Sequence, residues 1–228
     1  LVAKDFSELR SIGPENLDKT IEVNENEFAK NDQIVITPTL EYIEFIADDP
    51  DFTPRMNRIV KEIKRIVSNP SSTFIVFPLK ERFDVWRLLI KGCDSSLYEN
   101  KWFYLIIEFD DDYPTTYPKF RFVHPPYHPN ITDQGRICMD HLDVGYNSDF
   151  EIRGLFGEVR MLLLQPNFQD PVDSDRFSLD SDMNSFLNKV KDWNNKNAKN
   201  SPDEWKTTWK IEKDDSNLDD DDELGVVS

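Results

Sequence analysis

The stretch Tyr127-His128-Pro129-Asn130-Ile131, followed by Gly135-Arg136-Ile137-Cys138-Met139-Asp140-His141-Leu142, decides how this 228-residue chain is read. It lies in a segment, from Pro125 to about Phe150, with no sustained helical or strand period. That segment nevertheless holds two of the three histidines, Cys138 and four aspartates. A long ordered loop so rich in reactive groups is ordinarily functional rather than connective. A cysteine that serves as a nucleophile must be accessible and attack as the thiolate. Cys138, flanked by polar loop, meets that need better than Cys93, which reads as a turn or partly buried thiol beside Gly92.

Working outward, Thr53-Pro54 opens a helix, since Thr can accept an N-cap hydrogen bond and Pro at the first helical position gives up no needed donor. Met56, Ile59, Val60, Ile63 and Val67 recur at helical spacing, Arg55, Arg58, Lys61, Lys64 and Arg65 fill the opposite face, and Asn69-Pro70 stops the helix. Thr73–Phe77, Asp84–Ile90, Trp102–Phe109 and Lys119–Val123 are rich in β-branched and aromatic residues, and their short connections favour an antiparallel meander. Beyond the loop, helical spacing returns at Leu155, Val159, Leu162 and Leu163, and again at Met183, Phe186, Leu187, Val190 and Trp193. A last short helix over 201–212 would place Trp205 and Trp209 on one face at i, i+4.

The order of helix, meander, cysteine-bearing loop and further helices, together with His128-Pro129-Asn130 and Gly135-x-Ile137-Cys138-x-Asp140, resembles the ubiquitin-conjugating enzyme family. Asp112-Tyr113-Pro114, Pro118-Lys119, Trp86 and Pro166-Asn167-Phe168-Gln169-Asp170-Pro171 extend the resemblance over roughly residues 53–200. It implies an α+β UBC fold: an N-terminal helix, a four-stranded antiparallel meander sheet, an active-site loop and C-terminal helices. It also implies that Cys138 carries ubiquitin or a ubiquitin-like modifier as a thioester, received from the activating enzyme and passed to a substrate lysine or a ligase cysteine. Asn130 would then be the amide donor to the oxyanion or the residue shaping its loop, and Asp140 and Asp170 the carboxylates around the incoming lysine. His128 and Pro129 would be structural. Arg58, Lys61 and Glu62 align with contacts to the activating enzyme and ligases. No cofactor or metal is implied, because ATP is used by the partner activating enzyme.

Two departures from the family pattern bear on ligases. Thr115 stands where many members carry a phenylalanine, and Tyr146-Asn147-Ser148-Asp149 replaces a Trp-Ser-Pro-Ala stretch. Losing an aromatic anchor removes a hot spot worth about 2 kcal/mol or more, so a dedicated or fused ligase, or none, is expected rather than broad partnership. Met139 for leucine and Gln169 for a second acid are milder changes.

Other chemistries fit less well. His124-x3-His128 with Cys138-x2-His141 has spacings of a Cys-His₃ zinc site, but Pro125, Pro126 and Pro129 keep the first pair off a helix. A cysteine peptidase would need a histidine outside 124–141, and there is none. A Cys93–Cys138 disulfide would require an oxidising compartment. The remaining alternative keeps the fold without the activity, as a non-catalytic module that presents ubiquitin or scaffolds a ligase.

Charge sets the outer bounds. The net charge of −17 disfavours polyanionic partners, so neither nucleic acid nor a membrane surface is expected. Residues 1–52 carry 13 acids and 4 bases and residues 213–228 carry 7 acids and 1 base, which leaves 53–212 near neutral and holding every Trp, His and Cys. The chain therefore divides into an acidic extension over 1–52, the catalytic domain over 53–200, the helix over 201–212 and a self-repelling acidic tail over 213–228. Within the extension, Ile34-Val35-Ile36 and Leu40–Ile46 have the apolar content of a short strand and a helical turn. The first residue is not Met, as in an excised fragment, and the start lacks the apolar stretch of a signal peptide. With two cysteines and no apolar membrane span, the expected location is cytoplasmic or nuclear.

Overall fold

The structure is a computed structural model that describes residues 28–29, 33–47, 52–137, 146–172 and 183–212. Cys138, Met139, Asp140 and His141 lie outside the described residues, as do most of the acidic extension and the tail.

The elements follow in the order β1 (Ile34–Ile36), α1 (Leu40–Ala47), α2 (Pro54–Ser68), β2 (Phe74–Pro78), β3 (Val85–Lys91), β4 (Trp102–Glu108), β5 (Lys119–Phe122), α3 (Ile152–Leu164), α4 (Met183–Asn197), α5 (Pro202–Lys206) and β6 (Lys210–Glu212). Strands β2 to β5 form the expected antiparallel meander in sequence order. Helix α2 starts as its sequence dictates: Thr53 Oγ1 accepts the Met56 N–H at 3.2 Å and Pro54 occupies the first turn. Its buried face is Ile59, Val60, Ile63 and Ile66.

Alternation along the strands assigns the sheet's two faces. Phe74, Val76, Trp86, Leu88, Ile90, Phe103, Leu105 and Ile107 pack with α1, α2, α3 and α4 in the main core. Phe77, Val85, Leu89, Tyr104 and Ile106 point the other way, into a second core closed by Phe28, Val35, Leu79, Trp205 and Trp209. Both faces of β3 and β4 are therefore covered, which is why Val-Trp-Arg-Leu-Leu-Ile and Trp-Phe-Tyr-Leu-Ile-Ile run without polar alternation, apart from Arg87. Arg87 is fully buried with its guanidinium 4.9 Å from the Trp209 ring and 5.9 Å from that of Tyr104.

The cover over the second face is built from both flanks. Strand β1 pairs in parallel with β6, Ile34 opposite Lys210 and Ile36 opposite Glu212, and Val35 bridges to Leu79. The helix expected over 201–212 is shorter: α5 ends at Lys206 and the chain extends into β6. Trp205 and Trp209 accordingly do not share a helix, yet both rings reach Tyr104, at 5.7 and 4.9 Å. Pairing with β1 and burial of two indoles outweigh the weak preference of so short a helix.

Buried ion pairs fasten α2 to the sheet. Asp84, 3% exposed, accepts Arg55 at 2.7 Å and Arg82 at 2.9 and 3.1 Å. Burial alone would raise the Asp84 carboxyl, but the Arg82 and Arg55 guanidinium groups hold it below its usual range. Arg55 also donates Nε to the Asp110 carbonyl at 2.8 Å and a second N–H to that of Phe109.

Candidate active site

After β5 the chain passes through His124-Pro125-Pro126 into Tyr127-His128-Pro129-Asn130, and three prolines remove much of its backbone freedom. Tyr98 Oη donates to the Tyr127 carbonyl at 2.7 Å, and Trp193 Nε1 donates to that of Pro125 at 2.6 Å. On the far side, Gly135 returns its carbonyl to the Phe122 N–H at 2.9 Å. Gly135 has φ +83°, and a Cβ there would lie 1.9 Å from the Phe122 carbonyl oxygen, so only glycine suits this close return three residues before Cys138.

His128 is fully buried and both ring nitrogens are engaged: Nε2 donates to the Leu162 carbonyl at 3.0 Å and Nδ1 accepts the Asn130 N–H at 3.0 Å. This pattern fixes the neutral Nε2–H tautomer. Burial drives its pKa from 6.5 down to about 4, the Leu162 carbonyl offsetting only part of that. A ring with both nitrogens committed can neither ligate zinc nor serve as a general base. The His124 ring stacks on that of Trp205.

The depressed pKa has a consequence for stability. Between pH 6.5 and 4 the unfolded chain binds the His128 proton and the folded one does not, so the stability present above 6.5 is lost as pH falls through that window. The expected loss is about 3 kcal/mol. Urea denaturation across this range should show it, and His128→Gln, which can still donate to Leu162, should flatten the pH dependence by that amount.

Asn130 is 4% exposed and spends its whole carboxamide on one loop. Nδ2 donates to the carbonyls of Asn167 at 2.9 Å and Asp170 at 3.1 Å, while Oδ1 accepts the Asn167 N–H at 2.8 Å. Pro129 adds its carbonyl, which accepts the Val172 N–H at 2.8 Å. The strand of loop leading to Cys138 and the loop carrying Asp170 are thus one hydrogen-bonded unit. Asp170 gives its backbone carbonyl to this clamp and leaves its residue exposed. Asn167 was not singled out from sequence by itself. Its side chain accepts the Gln169 N–H at 3.0 Å, an Asx turn whose signal is an Asn two residues before a backbone donor inside a Pro-bounded stretch.

Among the described residues the free cysteine is Cys93, half-buried, with Sγ 3.4 Å from the Arg160 carbonyl. No group of three or more potential metal ligands occurs among the described residues.

The expected partner face on α2 is largely turned inward. Glu62 is 1% exposed: its carboxylate accepts Arg58 Nε at 2.7 Å, Arg65 at 3.3 Å and the Ile152 N–H at 3.3 Å. It thereby caps α3, whose own N-cap residue Glu151 makes no side-chain cap. Arg58, 18% exposed, also donates to the Ser148 carbonyl at 2.7 Å and the Phe150 carbonyl at 3.0 Å. Of the three residues expected to meet a partner, Lys61 is exposed, Arg58 is partly buried and Glu62 is buried, its carboxylate compensated by Arg58, Arg65 and the first turn of α3. Glu44 of α1 further pairs with Lys64 at 3.1 Å.

The two loops that depart from the family pattern meet at this end. Tyr146 Oη donates to the Pro114 carbonyl at 3.0 Å and its ring packs edge-on to Tyr117 at 6.0 Å. Thr115, Thr116, Asn147, Ser148 and Asp149 are exposed, so the surface is polar where the pattern leads one to expect an aromatic anchor.

Comparison with known proteins agrees with this architecture. Residues 58–194 match the family model described as "Ubiquitin-conjugating enzyme". The chain is 35% identical over 143 residues to a protein of Acanthamoeba polyphaga mimivirus described as a "Probable ubiquitin-conjugating enzyme E2", covering 60% of this chain and 90% of that protein. It is 36% identical over 118 residues to "Ubiquitin-conjugating enzyme E2 13" of Saccharomyces cerevisiae, covering 52% of this chain and 77% of the yeast protein. A second mimivirus protein, described as a "Probable bifunctional E2/E3 enzyme", is 28% identical over 214 residues. That match takes in 89% of this chain, flanks included, but the chain spans only 16% of that relative. A solved structure from Plasmodium yoelii, described as a "putative ubiquitin conjugating enzyme", superposes with a TM-score of 0.60 at 29% identity, over 65% of this chain and 97% of the other. The chain belongs to the ubiquitin-conjugating enzyme family.

Proposed function

We propose that the protein accepts ubiquitin or a ubiquitin-like modifier on Cys138 and hands it to a lysine or to a ligase cysteine. In the first step the Cys138 thiolate attacks the modifier's C-terminal carbonyl, held as a thioester on the activating enzyme, and that enzyme's thiolate leaves. In the second, a neutral amine attacks, the bond to Cys138 sulfur breaks and an amide forms, with the amine's proton passing to a base or solvent. ATP acts upstream, at the activating enzyme, and no cofactor or metal is assigned to this chain.

The observation that supports this reading most strongly is the Asn130 clamp, which joins the approach to Cys138 to the loop bearing Asp170. With both N–H groups spent on carbonyls, Asn130 is assigned a positioning role: it holds the loop against which the thioester and the incoming lysine are oriented. Asp170, and Asp140 two residues past the cysteine, are assigned to orienting the lysine ammonium and helping remove its proton. The polar surface at Thr115 and Asn147–Asp149 favours a dedicated ligase, and the mimivirus relative described as an E2/E3 enzyme offers a precedent for one in the same chain.

The test is a charging assay with the protein, ubiquitin, its activating enzyme and ATP, read on a non-reducing gel. A band that reductant removes, that is absent in Cys138→Ala and that becomes reductant-resistant in Cys138→Ser, is the expected result. Absence of an adduct with ubiquitin and with every ubiquitin-like modifier and cognate activating enzyme would overturn the proposal in favour of a non-catalytic module.

A further inference from the structure

The loop that bears His128, Pro129 and Asn130 is braced from outside the four-stranded sheet and its helices. The chain leaving α4 forms an antiparallel bridge to the start of β4, Trp102 N–H to the Lys199 carbonyl at 2.7 Å and Lys199 N–H back to that of Trp102 at 3.1 Å. Three residues further on, α5 begins, and Trp205 Nε1 donates to the same Trp102 carbonyl at 3.0 Å. The indole is 7% exposed and is fixed in orientation by that bond and by Tyr104. Against it lies the His124 ring, 5.4 Å away and 16° from parallel. His124 is the first residue of the Pro-rich segment that ends at Asn130, an exposed residue whose imidazole is partly desolvated and lies near Lys199.

From these contacts, and resting on the transfer reaction proposed above, we infer that Trp205 and His124 are positioning residues for lysine discharge: their stack sets where the segment 124–130 leaves the sheet. The segment is stiff, because Pro125, Pro126 and Pro129 each fix φ. Its other supports lie at Pro125, held by Trp193, at Tyr127, held by Tyr98, and at Asn130, held by the 167–170 loop. A shift at its first residue is therefore carried toward the clamp rather than absorbed. Reaction geometry tolerates little of this, since displacement of about 1 Å can cost orders of magnitude in rate.

The test uses His124, because its ring can be removed without opening the second core. Wild type, His124→Ala and His124→Phe are charged, the thioester is isolated, and single-turnover discharge to free lysine is followed over a range of lysine concentrations. Expected are a fall of about tenfold in the maximal discharge rate of His124→Ala, with charging unchanged, and recovery to near the wild-type rate in His124→Phe, which restores a flat ring on Trp205. Trp205→Leu should reproduce the His124→Ala defect, and the double variant should be no slower than Trp205→Leu. Discharge of His124→Ala at the wild-type rate, or a defect that His124→Phe does not repair, would overturn the inference. Failure of wild type to form a thioester at all would instead overturn the proposed function.

Discussion

Asn130→Ala should charge at close to the wild-type rate yet discharge to lysine about a hundredfold more slowly. Charging needs the Cys138 sulfur to be accessible; discharge also needs the surrounding loops held still while a weak nucleophile attacks. The variant loses all three side-chain hydrogen bonds to Asn167 and Asp170 and leaves the Asn167 N–H without its acceptor. Asn130→Asp should fare no better: it keeps an acceptor for the Asn167 N–H but sets a carboxylate oxygen against two carbonyls. Single-turnover discharge of isolated thioester separates the steps. If Asn130→Ala discharges within twofold of wild type, the clamp does not position the reaction.

Glu62→Ala should cost about 3 kcal/mol of stability in denaturant unfolding, far more than a charge on an exposed helix face. The substitution leaves Arg58 without its carboxylate beside Ser148 and Phe150, releases Arg65 and uncaps α3 at Ile152. Glu62→Gln keeps an acceptor for the Ile152 N–H and should cost less, about 1 kcal/mol. A loss below 1 kcal/mol for Glu62→Ala would mean the carboxylate does not anchor these two helices.

Arg58 and Glu62 also show where reading by pattern stops. Residues four apart on a helix share a face, so a charged stripe on α2 was legible, but nothing local says whether that stripe meets solvent or another element. Strand and helix positions in the meander were legible because each answers to nearby chemistry: β-branched runs between turn residues, Thr53-Pro54 at a helix start and Asn69-Pro70 at its end. The helix expected over 201–212 stops at Lys206 because five residues of α5 carry too little local preference to resist pairing of β6 with β1, nearly the whole described chain away.

The candidate site divides in the same way. His128-Pro129-Asn130 and the loop with Cys138 stood out from sequence, since the residue types a thiol acyl transfer requires are few and sit close together in the chain. The apolar runs of β3, broken by Arg87, and of β4 are also present in the sequence, and they carry the information that the sheet is covered on both faces. What the sequence determined by itself is the α+β architecture, through spacing and local propensity, and, through the motifs that resemble the family, the family and the position of the cysteine-bearing loop. Only the tertiary structure decided that Asn130 spends its amide on Asn167 and Asp170, that Glu62 serves α3, and that Trp205 lies against His124. Each of those depends on hydrogen bonds or ring contacts between residues about 40 to 90 positions apart, whose partners are chosen by packing and burial rather than by any period along the chain.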